Sequence, residues 1–154
     1  MSARIRQAIM NNEEHSALAG EPGDKRILIV DDDEAVWDVL YYIVRKEGFM
    51  VEKASDGAEA MEKARLLHPA LIILDLMLPV SGGFEVLREL QAEDTLEIPI
   101  ILVSGRRMDQ STLEMLKRES NVKEFLEKPI KPQVLAALLH SLLKTRPRGK
   151  EVKE

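Results

Sequence analysis

A rhythm of short apolar runs constrains this chain more than any other feature. Each run is brief and ends on a polar residue, and a segment of helical periodicity separates it from the next. The sharpest case is residues 71–83, which read LIILDLMLPVSGG. Bulky apolar residues continue without alternation up to Asp75, and Pro79, Ser81, Gly82 and Gly83 follow at once. An apolar run of this length bounded by turn residues is the pattern of a strand buried on both faces. Asp75 then stands where a buried strand surfaces into a loop, which in an open α/β sheet is where ligands bind.

The pattern recurs along the chain. Residues 26–30 form a β-rich run that breaks into Asp31, Asp32 and Asp33. Asp33 suits the cap of a helix with Val36, Val39, Leu40, Ile43 and Val44 on one face, and Gly48 suits its C-terminal stop. Residues 49–54 read as a second strand. Ser55, Asp56 and Gly57 lead into a helix with Ala60, Met61, Ala64 and Leu67 inward, ended by Pro69. The run before Asp75 is the third strand, and Phe84, Val86, Leu87 and Leu90 mark the third helix. Residues 99–103 make a fourth strand that ends in Ser104 and Gly105. A helix through Leu113, Met115 and Leu116 reaches Asn121, a residue that tolerates the left-handed conformation. Residues 124–127 form a short fifth strand running into Lys128 and Pro129. Pro132 opens a last helix carrying Val134, Leu135, Leu138, Leu139 and Leu142. Five strands alternating with five helices predict an α/β fold: a doubly wound, five-stranded parallel sheet with helices on both faces and right-handed crossovers.

A chain of 154 residues suits one domain with one sizeable core. Its 27 acidic and 22 basic residues leave a net charge of −5, the opposite of the basic footprint of a general nucleic-acid binder, and point to a protein partner. The lack of cysteine excludes a disulfide framework and thiolate metal sites and fits a reducing compartment, with the cytoplasm as the expected location. No run approaches the roughly 18 apolar residues of a membrane helix, and no apolar signal core stands at the N-terminus. Composition divides the chain into an extension at 1–25, a domain at 26–145 and a polar tail at 146–154. In the extension Ile5, Ala8 and Ile9 have helical spacing, but Asn11 and Asn12 weaken it and Gly20 and Pro22 break it. A disordered or loosely docked tail is the first expectation there, and a partner-binding helix the second. Lys144, Arg146, Arg148 and Lys150 read as a solvated tail.

Parallel strands deliver their last residues to one edge. Asp31 and Asp32 arrive from the first strand, Asp75 from the third, Ser104 from the fourth and Lys128 from the fifth. Three carboxylates this close resist ionisation unless a cation joins them. A hard divalent ion that prefers oxygen fits, magnesium first. Lys128 adds a fixed positive charge and Ser104 a hydroxyl, which together with the ion could neutralise and orient phosphoryl oxygens. Asp75 would be the nucleophile that carries a phosphoryl group as an aspartyl phosphate. Taken singly, these residues have plainer readings: a solvated turn, a strand-end hydroxyl, a surface lysine. Trp37 reads as a packing residue. His15, His68 and His140 lack partners at metal-ligand spacing and read as surface residues.

Residues 26 to about 145 resemble the receiver domain of two-component response regulators. The resemblance rests on VDDDEAV, then LIILDLMLP followed by GG, then ILVSGR, then FLEKP, in the family's order over about three quarters of the chain. It implies the flavodoxin-like receiver fold with strand order 2-1-3-4-5. It implies that Asp75 is the phosphoacceptor, that Asp31 and Asp32 are the acidic pair holding Mg2+ (or Mn2+), and that the backbone carbonyl of Met77 also ligates the metal. By the same resemblance Ser104 is the switch hydroxyl, Phe125 the switch aromatic and Lys128 the lysine that contacts the phosphoryl group. Phe125 also has a plainer reading as a core aromatic. Arg106 falls at a position that resembles a control on acyl-phosphate hydrolysis, and with Met77 it is expected to hinder the attacking water. Asn121 stands where the family often has glycine.

The implied donor is a histidine kinase or phosphotransfer protein, and the implied output is contact with a downstream protein effector. No DNA-binding domain follows residue 145, so a second copy of the chain is the other expected partner. The expected surface is the helix after strand four, strand five and the last helix, whose Leu135, Leu139 and Leu142 leave apolar area for a homodimer. The domain would promote only its own Mg-dependent phosphorylation and dephosphorylation, and so is not an enzyme in the ordinary sense. Two further readings are a receiver-like interaction module that does not cycle phosphate and a phosphatase of the haloacid-dehalogenase type. The latter wants a second acid two residues after the nucleophile, where Met77 stands. Neither glycine-rich phosphate loop of a nucleotide-binding domain occurs.

Overall fold

A computed structural model describes residues 2–11, with side chains as far as residue 7, and residues 20–78 and 82–147. Five parallel strands, β1 (Arg26–Val30), β2 (Met50–Ala54), β3 (Leu71–Asp75), β4 (Ile100–Ser104) and β5 (Val122–Glu127), lie in the order β2-β1-β3-β4-β5. Around them run α1 (Ala3–Asn11), α2 (Glu34–Lys46), α3 (Gly57–Leu67), α4 (Gly82–Glu89), α5 (Gln110–Lys117) and α6 (Pro132–Leu143). The doubly wound α/β fold expected from the strand rhythm is the fold observed.

Both sheet faces are covered, which explains the lack of alternation in the sequence. Ile27, Ile29, Leu71, Ile73, Ile101 and Val103 pack with Leu40, Ile43 and Val44 of α2 and with Leu135, Leu138 and Leu139 of α6. On the other face, Leu28, Val30, Ile72, Leu74, Ile100 and Leu102 meet Ala60, Met61 and Ala64 of α3, Val86 and Leu87 of α4 and Leu116 of α5. Burying each such leucine or isoleucine contributes roughly 1.5–3 kcal/mol before the entropy of ordering is counted. The register aligns the strand ends: Val30 pairs with Leu74, Asp75 with Val103, and Ser104 with Glu127. The polar residues at these ends therefore emerge together.

Local signals seat the helices. Asp33 caps α2, its carboxylate accepting from the N–H groups of Ala35 and Val36, and Gly48 closes the helix with φ of 99°. Asp56 caps α3 by accepting from Glu59 N–H, while Glu59 Oε1 accepts from Ser55 N–H. This reciprocal arrangement resembles a capping box.

The structure corrects several expectations. Where a disordered or loosely docked tail was the first expectation, the described α1 packs on α6 and Ile5 enters the core; residues 12–19 of the extension lie outside the described residues. The side chains of Ala8 and Ile9 lie outside the described residues. Leu135 and Leu139 are fully buried against the sheet, so they offer no free apolar surface. β5 begins two residues earlier than expected, at Val122. Asn121 is not among the positive-φ residues; His68 and Lys144 are. The Asn121 side chain is buried instead, and its Oδ1 accepts from Gln91. His68 is exposed as expected, whereas His140 is buried, with Nε2 2.8 Å from Glu47 Oε1 and Nδ1 2.7 Å from Thr145 Oγ1. His15 lies outside the described residues. Trp37 does pack: its Nε1–H donates to Ile29 O, and its ring stacks on Tyr41. No helix among the described residues is long and apolar enough to cross a membrane.

Candidate functional site

The C-terminal edge of the sheet gathers the residues singled out from the sequence. Asp31 follows β1, and its N–H continues the sheet by donating to Ala54 O. Its Oδ1 accepts from Asp33 N–H at 2.9 Å. Asp75 at the end of β3 repeats the arrangement, with Oδ1 accepting from Met77 N–H at 2.9 Å. Each carboxylate is thus pinned through one oxygen by an amide two residues ahead. The other oxygen of each meets Lys128, whose Nζ lies 3.1 Å from Asp31 Oδ2 and 3.4 Å from Asp75 Oδ2. Asp32 is exposed at the rim. One oxygen from each of Asp31, Asp32 and Asp75 lies within 4.8 Å of the others.

Electrostatics follows from this crowding. Burial raises the Asp31 carboxyl above its ordinary value; the Asp33 amide opposes the rise, the Asp75 charge adds to it, and Lys128 counters it. Burial alone would pull the Lys128 ammonium down, but its hydrogen bond to Asp31 and the charges of Asp31 and Asp75 outweigh that and leave it raised. Lys128 therefore stays charged, and one ammonium faces three carboxylates. An all-oxygen donor set with an excess of negative charge, two of its members buried, suits a hard divalent cation.

The neighbouring residues occupy distinct places. Ser104 is buried at the end of β4, and its Oγ accepts from Arg106 N–H at 3.0 Å and donates to Arg106 O at 3.1 Å. Its hydroxyl is engaged with its own loop, apart from the carboxylate and lysine cluster. Its carbonyl accepts from Lys128 N–H, joining the ends of β4 and β5. A cis peptide links Lys128 to Pro129. Phe125 is half-buried and packs, with Met108, against the core that includes Leu102. Met77 and Arg106 are exposed.

One contributor was legible only as a turn residue. A Cβ on Gly83 would stand 2.4 Å from both Asp75 O and Leu76 Cα, so the start of α4 lies directly on the backbone that carries Asp75. The double glycine marks the place, but its reason is a tertiary contact. Pro79 and Ser81, read as turn residues, lie outside the described residues.

The model of the response regulator receiver domain family matches residues 27–140. The chain belongs to this family. Among curated relatives, the alkaline phosphatase synthesis transcriptional regulatory protein PhoP of Bacillus subtilis is 35% identical over 121 residues, covering 79% of this chain and 49% of that protein. The receiver chain thus spans about half the length of the curated relatives it matches. Two solved structures are similar. Chemotaxis protein CheY4 of Vibrio cholerae shares 27% identity with a TM-score of 0.70, over 77% of this chain and 98% of that one. The receiver domain of sensor histidine kinase PA1611 from Pseudomonas aeruginosa PAO1, solved with a magnesium ion coordinated in its active-site cleft, shares 27% identity with a TM-score of 0.69, over 77% and 97%.

Proposed function

We propose that this receiver accepts a phosphoryl group on Asp75 from the phosphohistidine of a histidine kinase or phosphotransfer protein, and in response alters a protein-binding surface. The observation that carries the reading is the convergence of Asp31, Asp32, Asp75 and Lys128 at one sheet edge. In the transfer, an Asp75 carboxylate oxygen forms a bond to phosphorus while the P–N bond to the donor imidazole breaks, and the imidazole leaves with the bonding pair. Met77 N–H holds one Asp75 oxygen, orienting the carboxylate for attack through the other. The Lys128 ammonium pairs with oxygens of the arriving group and so favours the charge that moves with it. Asp31, Asp32, Asp75 and the Met77 carbonyl are the groups that would hold Mg2+, a role to which the magnesium-bound PA1611 receiver lends support. When bound, the ion neutralises charge on the phosphoryl oxygens.

Ser104 supplies the response. Turning its O–H from Arg106 O toward a phosphoryl oxygen exchanges one ordinary donated hydrogen bond, worth about 1 kcal/mol, for a charge-assisted one roughly twice as strong. Phe125, half-buried nearby on β5, follows into the space released. α5 buries a single side chain, Leu116, and is the element best able to adjust. The output surface is then α5, β5 and α6, read by a protein effector in the cytoplasm. Arg106 and Met77 shield the acyl phosphate from water. Arg106→Ala should therefore shorten the half-life of the phosphorylated protein several-fold, followed by loss of label after donor removal; an unchanged or longer half-life counts against the shielding.

The test of the main reading is phosphotransfer from labelled kinases and phosphotransfer proteins. Label is expected on the parent within seconds from one preferred donor and never on Asp75→Asn. Equal labelling of Asp75→Asn would show a different acceptor.

A further inference from the structure

The peptide unit between Leu76 and Met77 is held at both ends. Its N–H, that of Met77, donates to Asp75 Oδ1 at 2.9 Å, and its carbonyl, that of Leu76, accepts from Gly83 N–H at 3.2 Å. A trans peptide is planar with its N–H and C=O on opposite sides, so the bond at one end fixes the direction of the bond at the other. A line of hydrogen bonds thus runs from the first turn of α4, through this peptide, into the Asp75 carboxylate. Both sides of the line are anchored. Leu76 N–H donates to Val103 O at 2.9 Å, extending the pairing of β3 with β4, and the Leu76 side chain is buried. α4 is seated by Val86, Leu87 and Leu90 in the core. Gly83 lies between these two fixed pieces: an added Cβ would stand 2.4 Å from Asp75 O and Leu76 Cα, and 2.9 Å from Leu76 C.

We propose that Gly83 is a positioning residue for phosphoryl transfer: its missing side chain lets α4 hold the Leu76–Met77 peptide, and that peptide sets the Asp75 carboxylate so that one oxygen faces the arriving phosphorus. The proposal rests on the reading of Asp75 as phosphoacceptor. A side chain at position 83 has two ways out. Either α4 moves off and its N–H leaves Leu76 O, or Leu76 moves and turns the peptide. Both release the amide that holds Asp75. Bringing a 2.4 Å approach back to the 3.4 Å of ordinary contact takes about 1 Å, and misplacing a reacting group by about 1 Å can cost about 100-fold in rate. Gly82 is the control, because a Cβ there meets nothing within 4 Å although its φ is 75°.

The experiment reads amide NMR and phosphorylation on the full chain. In Asp75→Ala the Met77 amide proton loses its acceptor and should move upfield; in Gly83→Ala it should move the same way, and in Gly82→Ala it should stay. With acetyl phosphate in saturating Mg2+, intact mass should show the adduct forming about 10–100-fold more slowly on Gly83→Ala, and within about twofold of the parent on Gly82→Ala. A Met77 amide unmoved in folded Gly83→Ala overturns the proposal, as does an adduct that forms as fast there as on Gly82→Ala. One arm needs no side chain at position 83. Coupling along the line is reciprocal, so the Gly83 amide should exchange with solvent faster in Asp75→Ala than in the parent, and unchanged exchange overturns the proposal even where Gly83→Ala fails to fold. A parent that gains no phosphoryl group contradicts the phosphoacceptor reading and this role with it, whereas a parent that gains one while the amides stay still contradicts the positioning alone.

Discussion

Lys128 holds together two carboxylates that would otherwise repel, and its own charge is secured by them. Its value is raised above 10.5, so the stability it brings is present below that pH and is lost only as pH rises past the raised value. Asp31 behaves in the opposite sense to most carboxylates in folded proteins. With a folded value raised above 3.8 by burial, its contribution is full below that value and is lost as pH rises through the raised one. At neutral pH without a divalent ion, ionised Asp31 costs stability. Asp31→Asn should therefore melt higher than the parent in chelator, by about 2–4 °C for each kcal/mol relieved. Saturating Mg2+ should close or reverse the gap, because binding stabilises the parent alone; a lower melting point in chelator would refute this. These residues were legible because each ends an apolar run, a signal contained within a few neighbouring positions. The burial of His140 was not, because Glu47, its partner, lies 93 residues away.

The elements around the site depend on two local devices, glycine at a close approach and carboxylate caps. Gly83→Ala forces a Cβ against the Asp75 carbonyl and Leu76, and overpacking of this kind costs about 1–3 kcal/mol. Gly82 has φ of 75° but open space around it, so Gly82→Ala should cost about 1 kcal/mol. Urea unfolding should rank the two in that order, and equal losses would contradict the close approach. Strands and caps were readable because period and turn chemistry are local. The bounds of β5 and the conformation of Asn121 were not, since the sheet pairing Ile100 to Val122 and the contact with Gln91 determine them. α1 was legible only as a second expectation, from the spacing of Ile5, Ala8 and Ile9: nine residues with weak intrinsic helicity form a helix because α6 offers Ile5 a place in the core.

At the scale of the molecule, the parallel sheet converts five separate strand endings into one site, and family membership over residues 27–140 agrees with that geometry. α1 adds a layer on α6. Leu135 and Leu139 look like interface residues in the sequence because a helix buried on several sides reads like one with a free apolar stripe; only the packed whole separates the two. The central claim concerns Asp75 and is tested most directly by intact mass after incubation with acetyl phosphate. In Mg2+ the parent should gain a single phosphoryl group, while parent in chelator and Asp75→Asn in Mg2+ should gain none. An adduct of equal yield on Asp75→Asn, or no adduct on the parent in Mg2+, would contradict the account.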